Sequence, residues 1–193
     1  VGRYGAGMMT AVTVRALSEA DLPAVSAIRV TGWQTAYAGI LPRSYLDAMT
    51  VEADLPRRRA RFAKGAPPRT AEFVAVDRDG RVAGWTCLGP YRSDVYSEGG
   101  AGGEVPATAG ELYALYVRPA LIGSGVGLAL VGAAHSRARE EGFGELLLWV
   151  LADNARARRF YERAGYASDG AVQAEAYDGV PVPEVRYRRS LGG

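Results

Sequence analysis

Three glycines, Gly123, Gly125 and Gly127, alternate with Ser124 and Val126 just ahead of an alanine-rich stretch. Glycine lets the backbone take positive φ and come close to a ligand, and the first amides of a helix have no acceptor inside it. A turn of this kind is an anion cradle, most often for a phosphate or pyrophosphate. Downstream, Asn154 and Tyr161 are seven residues apart. That is about two turns at 3.6 residues per turn, so one helical face offers both side chains to one elongated ligand. Upstream, Glu111 opens the apolar run ELYALYV and carries a carboxylate suited to accepting a proton. Each group also has a plain structural reading: a glycine-rich loop, a helix cap at Asn154, a packed ring at Tyr161, and a solvated acid at Glu111.

The elements that must position these groups run from Glu111 to Tyr166: strand, Val-x-Pro turn, glycine turn, helix, the strand LLLWVL, then a helix over DNARARRFYERAGY that ends at Gly165. Three readings compete for the glycine turn. A dinucleotide fingerprint, G-x-G-x-x-G, counted from Gly123 finds Leu128 where its third glycine should stand. An NTPase phosphate loop needs Gly-Lys and then Ser or Thr, and no lysine is near. The third is R/Q-x-x-G-x-G/A after V-x-P and a strand, whose amides hold the pyrophosphate of coenzyme A.

On Val117-Arg118-Pro119, Gly125-Val126-Gly127 and the run Asn154, Ala157, Phe160, Tyr161, Gly165, Tyr166, the chain resembles the GNAT superfamily of N-acetyltransferases. The motifs are specific over about residues 111–166, and Ile122 departs from the usual Gln or Arg. The resemblance implies an α/β (α+β) fold: a mixed, mostly antiparallel sheet of six or seven strands flanked by helices, with a splay between the central strands. It implies acetyl-CoA as co-substrate, held by Leu115, Tyr116, Val117, Gly123, Ser124, Gly125, Val126, Gly127, Leu128, Asn154, Phe160 and Tyr161. It places Trp33, Tyr37 and Tyr45 on the wall of the acceptor pocket, where they compete with a role as core anchors. The acceptor would be a small-molecule or peptide amine, acetylated directly in a ternary complex. A homodimer is compatible with this reading, and so is a sensor that binds acetyl-CoA without turnover.

Acetyl transfer from a thioester makes three demands. The acceptor ammonium must lose a proton, because an amine of pKa near 10.4 is mostly charged at neutral pH. The carbonyl oxygen needs a hydrogen-bond donor as it gains charge. The leaving sulfur must be stabilised. The resemblance gives the donor role to a backbone N–H between Leu115 and Val117, the sulfur to Tyr161, and the proton to Glu111. Trp149 stands where some relatives keep an acid. A phenol is a weaker acid than a thiol by ~1.5 pH units, about 2 kcal/mol, so Tyr161 is expected to stabilise the sulfur by hydrogen bonding rather than by full proton transfer.

The whole chain sets bounds on these readings. Its 193 residues are enough for one domain with its own core, expected over 11–193 after a disordered leader at 1–10. A net charge of +2 and no basic run interleaved with aromatics give no reason to expect nucleic acid. Cys87 and His135 are each the sole residue of their type, which argues against a metal site. No apolar run is long enough to span a membrane, so the expected location is cytoplasmic. AVTVRAL reads as a first strand and Ser18 as a helix cap with Asp21. Residues 32–49 read as two short helices broken at Leu41-Pro42, and 51–64 as a third. EFVAVDRDGRVAGWTCLGP is a hairpin turning at Asp79-Gly80. Residues 91–110 read as a long polar loop bearing Asp94, Glu98 and Glu104, and 176–191 as a turn and one last strand.

Overall fold

The computed structural model describes residues 11–92 and 105–192. The leader at 1–10 and the loop acids Asp94, Glu98 and Glu104 lie outside the described residues.

Seven strands form one sheet in the order β1-β2-β3-β4-β5-β7-β6. β1 is Thr13–Ala16, β2 Ala71–Val76, β3 Val82–Pro90, β4 Gly110–Val117, β5 Glu145–Leu151, β6 Ala167–Tyr177 and β7 Val180–Ser190. Every neighbouring pair is antiparallel except β4 and β5. That one parallel pair follows from its connection, because a helix must carry the chain back before a parallel strand can start. The helices are α1 Leu22–Ala36, α2 Arg43–Asp47, α3 Val51–Ala63, α4 Val126–Glu140 and α5 Ala155–Arg163.

α1 packs on one face, where Val25 and Ile28 meet Trp85 and Cys87. α4 packs on the other, where Val126 and Leu130 meet Ala75 and Ala83, and Val131 and Ala134 meet Leu88 and Leu112. β3 is therefore covered on both sides, which is why residues 82–89 are all buried and read as a continuous apolar run.

One expectation is corrected. Residues 32–36 do not start a new helix; they are the last turn of α1. The turn at Asp178 and Gly179, both with positive φ, and the last strand β7 fall within 176–191 as expected, but the strand β6 that precedes the turn was not anticipated. The capping pair at the start of α1 is present: the Ser18 amide donates to Asp21 Oδ2 at 2.9 Å, and Arg15 pairs with the same carboxylate at 2.6 Å.

Candidate active site

β4 and β5 pair only at Gly110 with Leu146 and Glu111 with Leu147. Beyond that point β5 follows β7 to Leu151, β4 follows β3 to Val117, and the two part. The Arg118 amide donates to Ala83 O at 2.9 Å. Antiparallel alternation then turns the amides of Ala114 and Tyr116 toward β3, and those of Leu115 and Val117 toward the gap. β4 also carries a bulge at Tyr113, where Leu88 faces Leu112 and Cys87 faces Ala114. A bulge sharpens local twist, which helps the strand leave its neighbour.

The glycine turn leads into α4. Gly123 and Gly125 have φ of 88° and 93°, a region that side-chain-bearing residues avoid. The Ala129 amide donates to Gly125 O at 3.1 Å, so the amides of Val126, Gly127 and Leu128 come before the helical ladder. Ser124 braces the turn: its amide and hydroxyl both donate to Leu121 O, at 3.2 and 2.7 Å. Gly127 serves packing, because a Cβ there would come within 3.2 Å of the Phe160 ring. This contact seats α5 against the start of α4. Ile122 and Leu128 flank the turn as exposed apolar side chains.

Asn154 caps α5, its Oδ1 accepting from the Ala157 amide at 3.1 Å, so the helix-cap reading holds and its side-chain NH2 remains a donor. Tyr161 packs among the rings of Phe160 and Tyr166, at 5.2 and 5.8 Å between centroids. Its hydroxyl has no hydrogen-bond partner among the described residues. Burial, with a contribution from Tyr116, pushes its pKa well above that of a free phenol. The group is held as a neutral donor.

On the α1 face, Trp33 Nε1 donates to Tyr116 Oη at 2.7 Å. Tyr116 therefore sends its side chain away from the glycine turn, and only its backbone borders the gap. Trp33 and Tyr37 meet edge to face at 4.9 Å, and Tyr45 stands 5.0 Å from Tyr177. With Leu41, Leu46, Leu151 and Val182 these rings form one apolar cluster. The three aromatics expected on the pocket wall are thus brought together, packed as anchors on this cluster. Tyr177, from β6, joins them without having been legible in the sequence.

Glu111 is not a solvated acid: it is 1% exposed and gripped by Arg92, whose Nη2 lies 2.6 Å from Oε1 and whose amide and Nε each lie 3.2 Å from Oε2. Its parallel pairing with Leu147 places it on the face that Trp149 and Leu151 share. A second carboxylate on that face, Glu184 of β7, is opposite both Leu151 and Gln173, and Gln173 Nε2 donates to it at 2.8 Å. Burial raises its pKa first of all; the Gln173 hydrogen bond opposes this. The alternation Val182, Glu184, Arg186 in β7 was its only trace in the sequence. A cleft of about 430 Å³ opens elsewhere, between α1 and α2, and is lined by Gln34, Arg43 and Asp47 rather than by these groups. No group of three or more His, Cys, Asp or Glu among the described residues could hold a metal ion, and none of their helices is long and apolar enough to cross a membrane.

A parted parallel strand pair beside a glycine turn that opens a helix is the arrangement that the resemblance to the GNAT superfamily implies. A family model described as the Acetyltransferase (GNAT) family matches residues 35–166, and the chain belongs to that family. It is 31% identical over 143 residues to the uncharacterized N-acetyltransferase YuaI of Bacillus subtilis, covering 74% of this chain and 73% of the relative. It is 33% identical over 129 residues to the mycothiol acetyltransferase of Parafrankia, where the match spans 64% of this chain but only 36% of the relative. The structure of a GCN5-related N-acetyltransferase from Kribbella flavida superposes with a TM-score of 0.68 at 25% identity, covering 93% of this chain and 98% of the other. The protein is an acyltransferase of this family, with acetyl-CoA as its co-substrate.

Proposed function

We propose that the protein moves an acetyl group from acetyl-CoA to a primary amine of a small molecule or peptide, directly, within a ternary complex. The observation that carries this reading is the parting of β4 from β5 just past Glu111 and Leu147, which leaves the Leu115 and Val117 amides turned into the gap. There they can donate to the carbonyl oxygen as it gains charge, an arrangement whose removal typically costs 10²- to 10³-fold in rate. The amides of Gly123, Gly125, Val126, Gly127 and Leu128, with the bracing of Ser124, hold the pyrophosphate at the mouth of α4. Asn154 and Phe160 border the same ligand from α5.

Tyr161 donates its phenolic hydrogen to the departing sulfur. Burial has made that phenol a still weaker acid than a free one, so it stabilises negative charge without surrendering its proton. Proton removal from the acceptor falls to a carboxylate of the α1 face. Glu111 is at the closed end of the gap with Arg92 on both oxygens, so it can act only through water.

Calorimetry with acetyl-CoA, followed by a thiol-release assay across amines, amino acids, aminoglycosides and peptide N-termini, tests the reading. Binding with no release from any acceptor would mark a sensor instead. Tyr161→Phe should lower kcat by about 10- to 100-fold while leaving the dissociation constant of acetyl-CoA unchanged. An unaltered kcat would remove Tyr161 from the sulfur.

A further inference from the structure

The parallel register supplies a common ruler for the two sides of the gap. Glu111 lies beside Leu147, so four residues further on β4 comes level with Leu151, one residue being absorbed by the bulge at Tyr113. Glu184 is the direct cross-strand neighbour of Leu151. It therefore stands abreast of the gap-facing amides. Glu111 stands about 13 Å behind them, at about 3.3 Å per residue, where β4 and β5 are still paired.

The two acids also differ in company. Among the carboxylates of this face, Glu111 has Arg92, Asp169 has Arg186, and Glu145 has Arg188. Glu184 has no Lys, Arg or His nitrogen within 4.0 Å among the described residues, and its one hydrogen bond comes from neutral Gln173. A half-buried carboxylate without a cation is costly unless something cationic arrives. Beside it lies the aromatic cluster of Trp33, Tyr37, Tyr45 and Tyr177, and ring faces favour alkylammonium groups.

We propose that Glu184 docks the acceptor as its ammonium ion and takes the proton from that nitrogen directly, leaving Glu111 to fix the start of β4 through Arg92. This rests on the transferase reading. One proton passes from nitrogen to the Glu184 carboxylate and on to solvent. The nitrogen lone pair then forms the C–N bond as the C–S bond breaks, and the second nitrogen proton ends on sulfur. The acceptor class is a primary alkylamine that arrives as a cation. The groups that set the charge state of Glu184 are Gln173 and Glu175 of β6, Arg186 on its own strand, Glu111 and Arg92 at the closed end of the gap, and the hydroxyls of Tyr116 and Tyr177.

The test compares Glu184→Gln with Glu111→Gln in two readouts. In the thiol-release assay, Glu184→Gln should lower kcat/KM by about 10²- to 10⁴-fold. It should move the acid limb of the pH profile from the carboxylate's range up to the amine's own pKa, with acetyl-CoA affinity unchanged. Glu111→Gln should keep the acid limb at its wild-type position even where it lowers the rate. The opposite assignment of the limb overturns the proposal. The second readout needs no turnover: butylammonium chloride should shift the Gln173 side-chain amide signal in wild type and not in Glu184→Gln. No shift in wild type overturns the docking role, whereas a shift in a protein that releases no thiol refutes the transferase reading alone.

Discussion

His135 provides a stability test whose sign and size follow from its surroundings. It is 6% exposed on α4, with Nε2 2.9 Å from the Tyr166 hydroxyl. Burial, helped by Arg189 and Arg139, lowers its pKa from 6.5 to about 4. A folded-state pKa below the unfolded one means the unfolded chain binds the proton more tightly. Stability is then complete above about pH 6.5 and is lost as pH falls toward 4. The loss amounts to about 3 kcal/mol at 1.36 kcal/mol per pH unit, an upper figure for a group that can relax toward water. Because the chain has a single histidine, its imidazole proton signal can be followed by NMR without assignment. Urea unfolding between pH 4 and 7.5 should show a fall in wild type that exceeds the fall in His135→Phe by that amount. An imidazole titrating near 6.5 in the folded protein, or parallel acid limbs in the two proteins, would refute the reasoning. The effect reaches the site, because Tyr166 packs on Tyr161 and closes α5 against the core.

Gly125→Ala forces a side chain into φ of 93°, at a cost of about 1–2 kcal/mol, and should weaken acetyl-CoA binding roughly tenfold by calorimetry. Unchanged affinity would mean that the turn is not the cradle. Cys87 is buried and its thiol is pushed up to about 12, so iodoacetamide at pH 8 should label it only after unfolding. Stoichiometric labelling of the folded protein would contradict the buried placement.

The strands β2 and β3 and their turn were legible because their apolar runs and the Asp-Gly pair are local signals, and Gly80 has the positive φ that the turn requires. β6 was not. Its run ASDGAVQAEAY lacks alternation, and the register breaks between Ser168 and Val172, so one irregular edge strand reads as loop. Residues 32–36 also differ from the sequence reading, because α1 runs on through Gly32 to Ala36 and glycine carries only a modest helix penalty that packing overrides.

The sequence by itself determined the glycine turn, the helix-cap residue Asn154 and the tyrosine two turns beyond it, because each depends on backbone geometry set within a few residues. Tertiary structure decided which carboxylate lies where. Arg92 reaches Glu111 across 19 residues, and β7 inserts between β5 and β6 to bring Glu184 beside Leu151, 33 positions away in the chain. A carboxylate's chemistry depends on the charges and water around it. Those neighbours come from sheet order and the parting of two strands, which no local pattern encodes.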